Sequence, residues 1–529
     1  MKKRILCGLL AAAMMLTLFT GCKNGQSGGN TVVVGAATDL KTLDPGHMYE
    51  VYGNMIAYAA YDMLFRMDAN DMSKPVKSLC TDYTLDDATH TKYTFTLRDG
   101  VKFSSGNPLT SADVVWSIQR VMNLKSNTKD HVAGIQEVSA PDAKTVSITL
   151  KEPDASFLIK LASNAFCVLD SEVMKQQGAT DGADAATADK GRDYLDKQSA
   201  GSGAYMVESW NQNDQLVLVR NPHYWGQKTN VDKIIIKEIP DANTQISMLE
   251  KGEIDVALTL NNDNIGQLEG KDGVKIMKGQ TAVTTFLMMN RDAAVGKEMA
   301  NPAVQQAVRY AIDYKGLLEL CGDGASLPLN IVPQGLVGAK TKPDNYQDVE
   351  KAKQLMKQAG YENGFTIDFT VASYDSEGMQ WTTLAQKIQS DLKAINITAN
   401  IRTTEIGVAI DEMRQGKSPF MLMHWSPDYY DINNQLVFLP GEVNAVERVK
   451  WNASDENKRM GELANLIRQE SDYNKRAGYA GELQDLMDAD SPYAFLLQHP
   501  KAYAVRSNLQ NVLYNDVAKL QLTELSIGE

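Results

Sequence analysis

Apolar and polar residues alternate along the chain in two periods, one typical of strands and one typical of helices. Residues 31–36 are β-branched and apolar, and apolar residues alternate with threonines in 93–97, so both segments are predicted strands. In residues 301–313 the apolar positions recur at helical spacing, behind Asn301 as a predicted cap and Pro302 in the first turn. The chain therefore contains both kinds of element.

The middle of the chain continues this alternation of elements. The pattern predicts a helix at 351–359 ended by Gly360, a strand at 365–371, a helix at 379–396, and strands at 397–401 and 420–425. Strands alternating with helices predict an α/β fold. Residues 176–199 show little apolar periodicity, and we expect a surface excursion there.

The N-terminus has the pattern of an export signal. Lys2, Lys3 and Arg4 precede an apolar run over residues 5–19. This run is shorter than the roughly 20 residues that a membrane-spanning helix needs, so we expect a signal peptide at 1–21 rather than a permanent anchor. The protein is therefore expected outside the cytoplasm.

The end of this signal resembles a bacterial lipobox. Leu18-Phe19-Thr20-Gly21-Cys22 ends in a cysteine of the kind that receives a lipid, although Phe19 stands where leucine is usual. A polar, glycine-rich tether completes the segment 22–30. The resemblance implies a lipid anchor on Cys22 at the outer face of the cytoplasmic membrane, which is the periplasmic side if the host has an outer membrane.

Composition narrows the class of protein further. A chain of 529 residues with 43% hydrophobic and 22% charged residues is expected to form two or three globular domains. A formal net charge of -13 argues against a nucleic-acid partner, because phosphate binding needs a clustered basic surface. Cys80, Cys167 and Cys321 lack metal-site spacing, and we favour three buried free thiols over one disulfide.

Catalytic motifs are absent from the sequence. The chain contains no His-Glu-x-x-His, no Gly-x-Ser-x-Gly and no Cys-x-x-Cys. Gly416-Lys417-Ser418 is the nearest approach to a phosphate loop, but Asp411 stands where that loop needs its first glycine. We expect a protein that binds and releases a ligand without cofactor or metal, and we keep a secreted hydrolase as the alternative.

Residues 93–117 closely resemble the signature of the family 5 extracellular solute-binding proteins, the oligopeptide, dipeptide and nickel-complex receptors of ABC importers. Further matching segments occur in family order: Leu43-Asp44-Pro45, Gly201-Ser202-Gly203-Ala204-Tyr205, Arg220-Asn221-Pro222-His223-Tyr224-Trp225 and Gly252-Glu253-Ile254-Asp255. Together with the predicted helices that begin at Asn301 and that cover 352–360, these segments span nearly the whole mature chain.

This resemblance implies a two-lobed, hinged α/β fold of the type II periplasmic-binding-protein kind with an additional subdomain. The expected divisions are lobe I at 31–75, 198–290 and 495–529, the extra subdomain at 76–197, and lobe II at 291–494. The ligand would be enclosed between the lobes of a monomer. A membrane permease and its ATPase subunits would be the partners.

The segment His424-Trp425-Ser426-Pro427-Asp428-Tyr429 resembles the Trp-x-x-Asp segment with which peptide receptors of this family hold the ligand's α-ammonium. Asp428 is the candidate anchor, and the alternative is that it caps the turn after Pro427. Trp425 is a candidate for stacking on the ligand or for filling the core between the lobes. His424 and Tyr429 flank this pair.

Tyr49, Glu50 and Tyr52 follow Leu43-Asp44-Pro45 at the distance where relatives line the cleft, and surface turn residues are the alternative interpretation. Gly378, Met379 and Gln380 stand where relatives place an arginine for the ligand's carboxylate, so the peptide length stays open.

The ligand class has alternatives as well. His424 leaves room for a nickel-chelate receptor, although a lone histidine is more often packed or hydrogen-bonded. We expect a peptide-binding receptor, with an oligosaccharide or a metal complex as the alternative ligand. A sensor or adhesion lipoprotein that binds without transport is a further alternative.

Overall fold

The computed structural model describes residues 30–528, apart from residues 39, 49, 51, 70, 72, 73, 87 and 518. The predicted signal peptide, Cys22 and Tyr49 lie outside the described residues. Among the described residues, no helix is long and apolar enough to cross a bilayer.

Strands and helices are interspersed along the chain, which confirms the predicted α/β class. The strands are β1 (Thr31–Ala36), β2 (Phe65–Met67), β3 (Pro75–Lys77), β4 (Cys80–Leu85), β5 (Lys92–Leu97), β6 (Ile135–Asp142), β7 (Thr145–Leu150), β8 (Tyr205–Asn211), β9 (Gln215–Arg220), β10 (Lys233–Glu238), β11 (Val256–Ala257), β12 (Val274–Met289), β13 (Phe365–Ala372), β14 (Asp375–Ser376), β15 (Met379–Gln380), β16 (Ile397–Thr404), β17 (Phe420–Trp425), β18 (Tyr493–Arg506), β19 (Leu509–Gln510), β20 (Tyr514–Asn515), β21 (Lys519–Leu520) and β22 (Ser526–Ile527). The α-helices are Gly53–Ala60, Ser111–Leu124, Lys129–Val132, Phe157–Lys160, Ser171–Gln176, Ala185–Ala188, Gly191–Leu195, Ala242–Lys251, Asn262–Leu268, Ala293–Gly296, Pro302–Ala311, Tyr314–Cys321, Val349–Gln358, Trp381–Leu392, Ile406–Arg414, Ile432–Gln435, Val443–Val449, Lys458–Gln469 and Tyr473–Ala489, and short 3₁₀ turns occur at Asn164–Phe166, Lys297–Ala300, Lys393–Ile395 and Leu436–Phe438.

One ten-stranded mixed sheet runs through the molecule, in the order β16-β13-β17-β12-β18-β11-β1-β10-β9-β8. Its fourth and fifth strands, β12 and β18, are the longest and pair antiparallel between Val274↔Arg506 and Met288↔Tyr493. One part of their ladder runs from Val274↔Arg506 to Gln280↔Pro500 and the other from Thr284↔Gln498 to Met288↔Tyr493, with a shift of register between them. The sheet therefore has two halves that share only these two strands.

Separate apolar cores flank the sheet. One core includes Phe286 and Trp381 and belongs to the half that contains β13, β16 and β17. A second core includes Val34 and Ile234 and belongs to the half with β1 and β10. A third lies in the region of the four-stranded sheet β4-β5-β7-β6, around Phe95.

Most of the predicted elements are confirmed at their predicted positions. Asn301 caps the helix Pro302–Ala311, because its side chain accepts a hydrogen bond from the Ala303 amide at 2.9 Å. Gly360 has the predicted left-handed conformation with φ 81°. Cys80, Cys167 and Cys321 are all buried free thiols, as favoured from the sequence.

The helix predicted over 379–396 is wrong at its start, since the α-helix spans Trp381–Leu392 and continues as a 3₁₀ turn over Lys393–Ile395. Met379 instead pairs with Ser376 in a two-residue hairpin. Glu377 and Gly378 form its turn with φ 49° and 88°. Two successive residues with positive φ are the geometry of a type I′ turn, which matches the twist of the flanking strands.

A buried ion cluster explains the Leu43-Asp44-Pro45 segment. Arg120 donates to both carboxylate oxygens of Asp44, at 3.0 and 2.6 Å, and to both oxygens of Asp189, at 2.9 and 2.8 Å. The Arg120 and Asp44 side chains are fully buried. The surface excursion predicted for residues 176–199 is therefore wrong around Asp189 and Leu195, which is also fully buried.

Close backbone approach explains the glycines of the Gly201–Tyr205 segment. A Cβ atom on Gly203 would lie 2.5 Å from the carbonyl carbon of Ala60, which is closer than atoms can approach. Asn221, from a second family segment, donates to the Gly203 carbonyl at 2.8 Å. These family segments are structural, because they position the chain at the end of the helix Gly53–Ala60.

We predict that Asp44→Asn lowers the free energy of unfolding by about 3–5 kcal/mol, because it leaves a buried guanidinium without one of its two carboxylates. Denaturant unfolding measures the change. The matched control Glu350→Gln removes a carboxylate of an exposed pair with Lys353 and should have a far smaller effect. Equal effects of the two substitutions would contradict the role given to this cluster.

The same variant should show a defined pH dependence. Burial alone would raise the pKa of Asp44, but the Arg120 guanidinium outweighs burial and holds this pKa below its ordinary value of 3.8. The stabilisation is therefore complete above pH 3.8 and is lost as the pH falls through the folded-state pKa. The difference in unfolding free energy between wild type and Asp44→Asn should shrink over that acidic range.

Candidate functional site

A row of three cavities lies beside the register break of β12 and β18. We name them by a lining residue: the Trp425 cavity of about 620 Å³, the Lys519 cavity of about 200 Å³ and the Tyr52 cavity of about 540 Å³. Ser426 and Asp428 line both the first and the second, and Glu50 lines both the second and the third. Shared lining residues show that the three spaces are neighbours, and we treat them together as the candidate site.

Strand β17 places the segment 424–429 beside this row of cavities. Trp425, the last residue of the strand, pairs with Thr284 of β12 just where the β12–β18 ladder resumes after its break. The chain then leaves the sheet, so Ser426 and Asp428 lie at the wall that the first two cavities share.

Asp428 is oriented by one neighbouring amide. Its backbone N–H donates to Asn434 Oδ1 at 3.0 Å, and Asn434 Nδ2 donates to Asp428 Oδ2 at 3.3 Å. This neutral amide helps to fix the position of the carboxylate. The arrangement suits a carboxylate that meets a cation.

The Lys519 cavity is rich in carboxylates. Glu50, Asp428 and Asp516 line it together with Lys519, whose ammonium lies 2.8 Å from Asp516 Oδ1. His131 also lines it, and burial lowers the pKa of that imidazole against the opposing effect of Asp428, so it is neutral at pH 7. Counted over its lining residues, three carboxylates and one ammonium give this small space a formal excess of negative charge.

His424 is a packed, neutral histidine. Its Nδ1 lies 2.9 Å from Ser376 Oγ, and its ring meets those of Tyr374 and Trp381 edge to face. Burial lowers its pKa to about 4. In the part of the chain that the structure describes, no group of three or more His, Cys, Asp or Glu residues is arranged to hold a metal ion.

Trp425 and Tyr429 line cavities of the candidate site. The Trp425 ring packs edge to face on Phe438 at 5.3 Å and also lines the Trp425 cavity. Tyr429 lies under the Lys160 ammonium, 4.9 Å from its ring centroid, and separates the Trp425 cavity from a fourth cavity of about 460 Å³ near Arg468. Tyr429 therefore bridges to the subdomain segment that carries Lys160.

Glu50 and Tyr52 come from the N-terminal part of the chain. Tyr52 is buried, with its hydroxyl 3.4 Å from Thr259 Oγ1, and lines the Tyr52 cavity with Glu50. The structure thus brings Glu50 and Tyr52 into the same row as Trp425 and Asp428. Tyr49 lies outside the described residues.

Sequence reasoning missed the charged residues that complete the row. Asp375, Glu377 and Lys501 line the Tyr52 cavity, and Asp516 and Lys519 line the Lys519 cavity. The residues next to them in the sequence do not indicate a binding site, because these charged side chains meet one another only in the tertiary fold. The Glu377-Gly378 turn was the one local clue, since paired positive-φ residues mark a hairpin.

Comparison with known proteins identifies the family. The model for "Bacterial extracellular solute-binding proteins, family 5 Middle" matches residues 74–445. The chain belongs to this family. The two-lobed, periplasmic-binding-protein-like fold that the sequence resemblance implied is confirmed.

Similar proteins span almost the whole chain. The probable D,D-dipeptide-binding periplasmic protein DdpA of Escherichia coli is 25% identical over 92% of this chain and 91% of its own length. The glutathione-binding protein GsiB of Shigella dysenteriae is 26% identical over 95% of both chains. DppA of Helicobacter pylori, an ABC transporter-associated periplasmic binding protein solved with the peptide STSA, shares the fold at 22% identity, with a TM-score of 0.74 over 95% of this chain and 98% of that chain.

We predict that His424 and His499 do not take up protons between about pH 5 and 8, because burial lowers the pKa of each to about 4. NMR of histidine-labelled protein measures this directly, and both imidazoles should titrate near 6.5 once the chain is unfolded. Since the unfolded chain binds protons that the folded chain rejects, the unfolding free energy should fall as the pH drops from about 6.5 toward 4. Titration of either ring near pH 6.5 in the folded protein would contradict its packed, neutral state.

Proposed function

We propose that this family 5 protein is the extracytoplasmic receptor of an ABC importer and captures peptides in the row of three cavities. The observation that carries the proposal is Asp428, a carboxylate oriented by Asn434 at the wall between the Trp425 and Lys519 cavities. The names of DdpA and GsiB and the bound peptide of DppA support a peptide-like ligand. Asp428 would bind the ligand's α-ammonium.

A charge-assisted hydrogen bond makes this assignment energetically sound. An ammonium enclosed against a carboxylate contributes about 1.5–3 kcal/mol, more than a neutral hydrogen bond does. The formal excess of negative charge in the Lys519 cavity adds a longer-range attraction for the same group. A ligand carboxylate would be repelled from this position.

The same charges couple binding to closure of the cleft. Glu50 belongs to the N-terminal segment and Asp428 to the segment after β17, yet both face the Lys519 cavity. Without a ligand their like charges oppose close approach, whereas a cation between them is attracted to both. A ligand favours the closed state by such differential contacts, and the permease would recognise that state.

The proposed lobes are those that the sequence resemblance implies. Lobe I would comprise 31–75, 198–290 and 495–529, lobe II would comprise 291–494, and 76–197 would form the extra subdomain. The register break between Gln280 and Thr284 supports a hinge at that point, because a ladder bends most easily where its hydrogen bonding is interrupted. The proposed hinge lies within residues 198–290, which the sequence resemblance assigns to lobe I.

The proposed anchor and partners rest on the sequence. Export and lipidation at Cys22 would hold the receptor at the outer face of the cytoplasmic membrane, with residues 23–30 as the tether. There it would act as a monomer beside the permease and its ATPase subunits. The receptor itself would catalyse no reaction.

Native mass spectrometry of the purified protein tests the ligand class first. We expect masses of bound peptides that disappear when the protein is unfolded, because an enclosed ligand is retained during purification. A bound sugar or metal complex instead would overturn the peptide assignment and leave the receptor role. Turnover of chromogenic substrates would overturn the receptor role itself.

Calorimetry with trialanine tests Asp428. Asp428→Ala should weaken binding at least tenfold, or about 1.4 kcal/mol, because the ammonium loses its carboxylate. N-acetylation of the peptide removes the ammonium and should weaken binding to the wild type in a similar way, yet cost little further in the variant. The control Asp323→Ala, at a carboxylate that is 94% exposed, should bind trialanine like the wild type. Additive effects of acetylation and Asp428→Ala would remove Asp428 from the ammonium site.

A further inference from the structure

The Tyr52 cavity contains a second concentration of negative charge. Its charged lining residues are Glu50, Asp375, Glu377 and Lys501. Lys501 forms an ion pair with Glu377 at 2.9 Å, and both side chains are largely buried. This pair is internally neutral, and Glu50 and Asp375 add two further carboxylates to the lining.

Asp375 is a carboxylate held by neutral hydrogen-bond donors, with Lys501 as a nearby cation. Oδ1 accepts a hydrogen bond from the Gly378 amide at 2.7 Å and Oδ2 accepts one from Gln380 Nε2 at 3.0 Å, and both donors are neutral. Burial raises the pKa of Asp375, and the neighbouring Glu377 raises it further. A cation beside Asp375 would stabilise its ionised form.

The hairpin β14–β15 holds Asp375 over the cavity. The type I′ turn at Glu377 and Gly378 brings the hairpin against the segment before the helix Asn262–Leu268, since a Cβ on Gly378 would lie 3.0 Å from Asn261 Cα. Glu377 also reaches Lys501 on β18. Asp375 is therefore fixed by the fold in the lining of the cavity.

The uncharged lining has the composition of a cation site. The rings of Tyr52 and Tyr374 line the cavity, and aromatic faces attract ammonium and guanidinium groups. Hydroxyl and amide oxygens come from Thr38, Thr259, Asn261 and Asn264. Carboxylates, aromatic rings and neutral oxygens together favour a long cationic side chain over an anionic or purely apolar one.

The position of the cavity relates it to Asp428. Glu50 is common to the Tyr52 and Lys519 cavities, and the Lys519 cavity adjoins Asp428. A peptide whose amino terminus lies at Asp428 can therefore extend past Glu50 and direct a later side chain into the Tyr52 cavity. Its volume of about 540 Å³ accommodates a long side chain together with water.

We propose that the Tyr52 cavity binds a lysine or arginine side chain of the ligand through Asp375, Glu50 and the two tyrosine rings, which makes the receptor selective for basic peptides. This inference rests on the proposed peptide-binding function. It adds a second cation site, distinct from the one at Asp428.

A peptide series tests the selectivity. Calorimetry at constant ionic strength compares Ala-Lys-Ala and Ala-Ala-Lys with peptides that carry norleucine or glutamate at the same position. Norleucine has nearly the length of lysine without its charge, so the comparison isolates the ammonium. We expect lysine to bind at least tenfold more tightly than norleucine at one of the two positions, and glutamate to bind most weakly.

Variants assign the preference to the cavity. Asp375→Asn should reduce the lysine-to-norleucine affinity ratio to near one, while its amide oxygen can still accept from the Gly378 amide. The matched control Asp263→Asn removes an exposed carboxylate on the adjoining helix and should leave the ratio unchanged. A ratio that survives Asp375→Asn would overturn the assignment to the Tyr52 cavity.

The outcomes separate this inference from the proposed function. Equal affinity for lysine and norleucine peptides would overturn the cation site and leave the peptide receptor standing. Failure of every peptide in the series to bind would overturn both proposals.

Discussion

The pairing of β12 with β18 is the constraint on which the rest of the structure depends. Every other strand of the large sheet belongs to one half, and these two belong to both. At the register break, the backbone is held by polar contacts: Thr281 Oγ1 donates to the His499 carbonyl at 2.8 Å, and the Ala282 amide donates to Asp516 Oδ2 at 2.6 Å. The floor of the cleft and the junction of the halves are therefore the same few residues.

The C-terminal segment contributes both to the lining of the cleft and to the packing of the apolar cores. The Lys519 cavity is lined by Asp516, which follows β20, and by Lys519, the first residue of β21. Val517 between them packs against three of the apolar cores. Lys519 adopts a positive φ of 56°, which positions its ammonium beside Asp516. The polarity of the cleft is thus set by a turn that is held in place by apolar contacts on both sides of the cleft.

The sequence predicts the elements and the family well because those depend on local patterns. Strand β1 and the capped helix Pro302–Ala311 follow from periodicity and residue type, and Gly203 is required by its close backbone contact with Ala60. Asp428 and Glu50 were found through resemblance. Asp375 and Lys519 were not, because the charge of a cavity depends on residues brought together from distant parts of the chain.

The three buried thiols have a practical consequence for measuring closure of the cleft. Burial raises the pKa of Cys80 to about 11 and of Cys321 to about 12, and it raises that of Cys167 as well. Since only the thiolate reacts with maleimide dyes, these native cysteines are not labelled in the folded protein. A pair of cysteines introduced on the two halves of the sheet can therefore carry fluorophores and report the interlobe distance without any change to the native core.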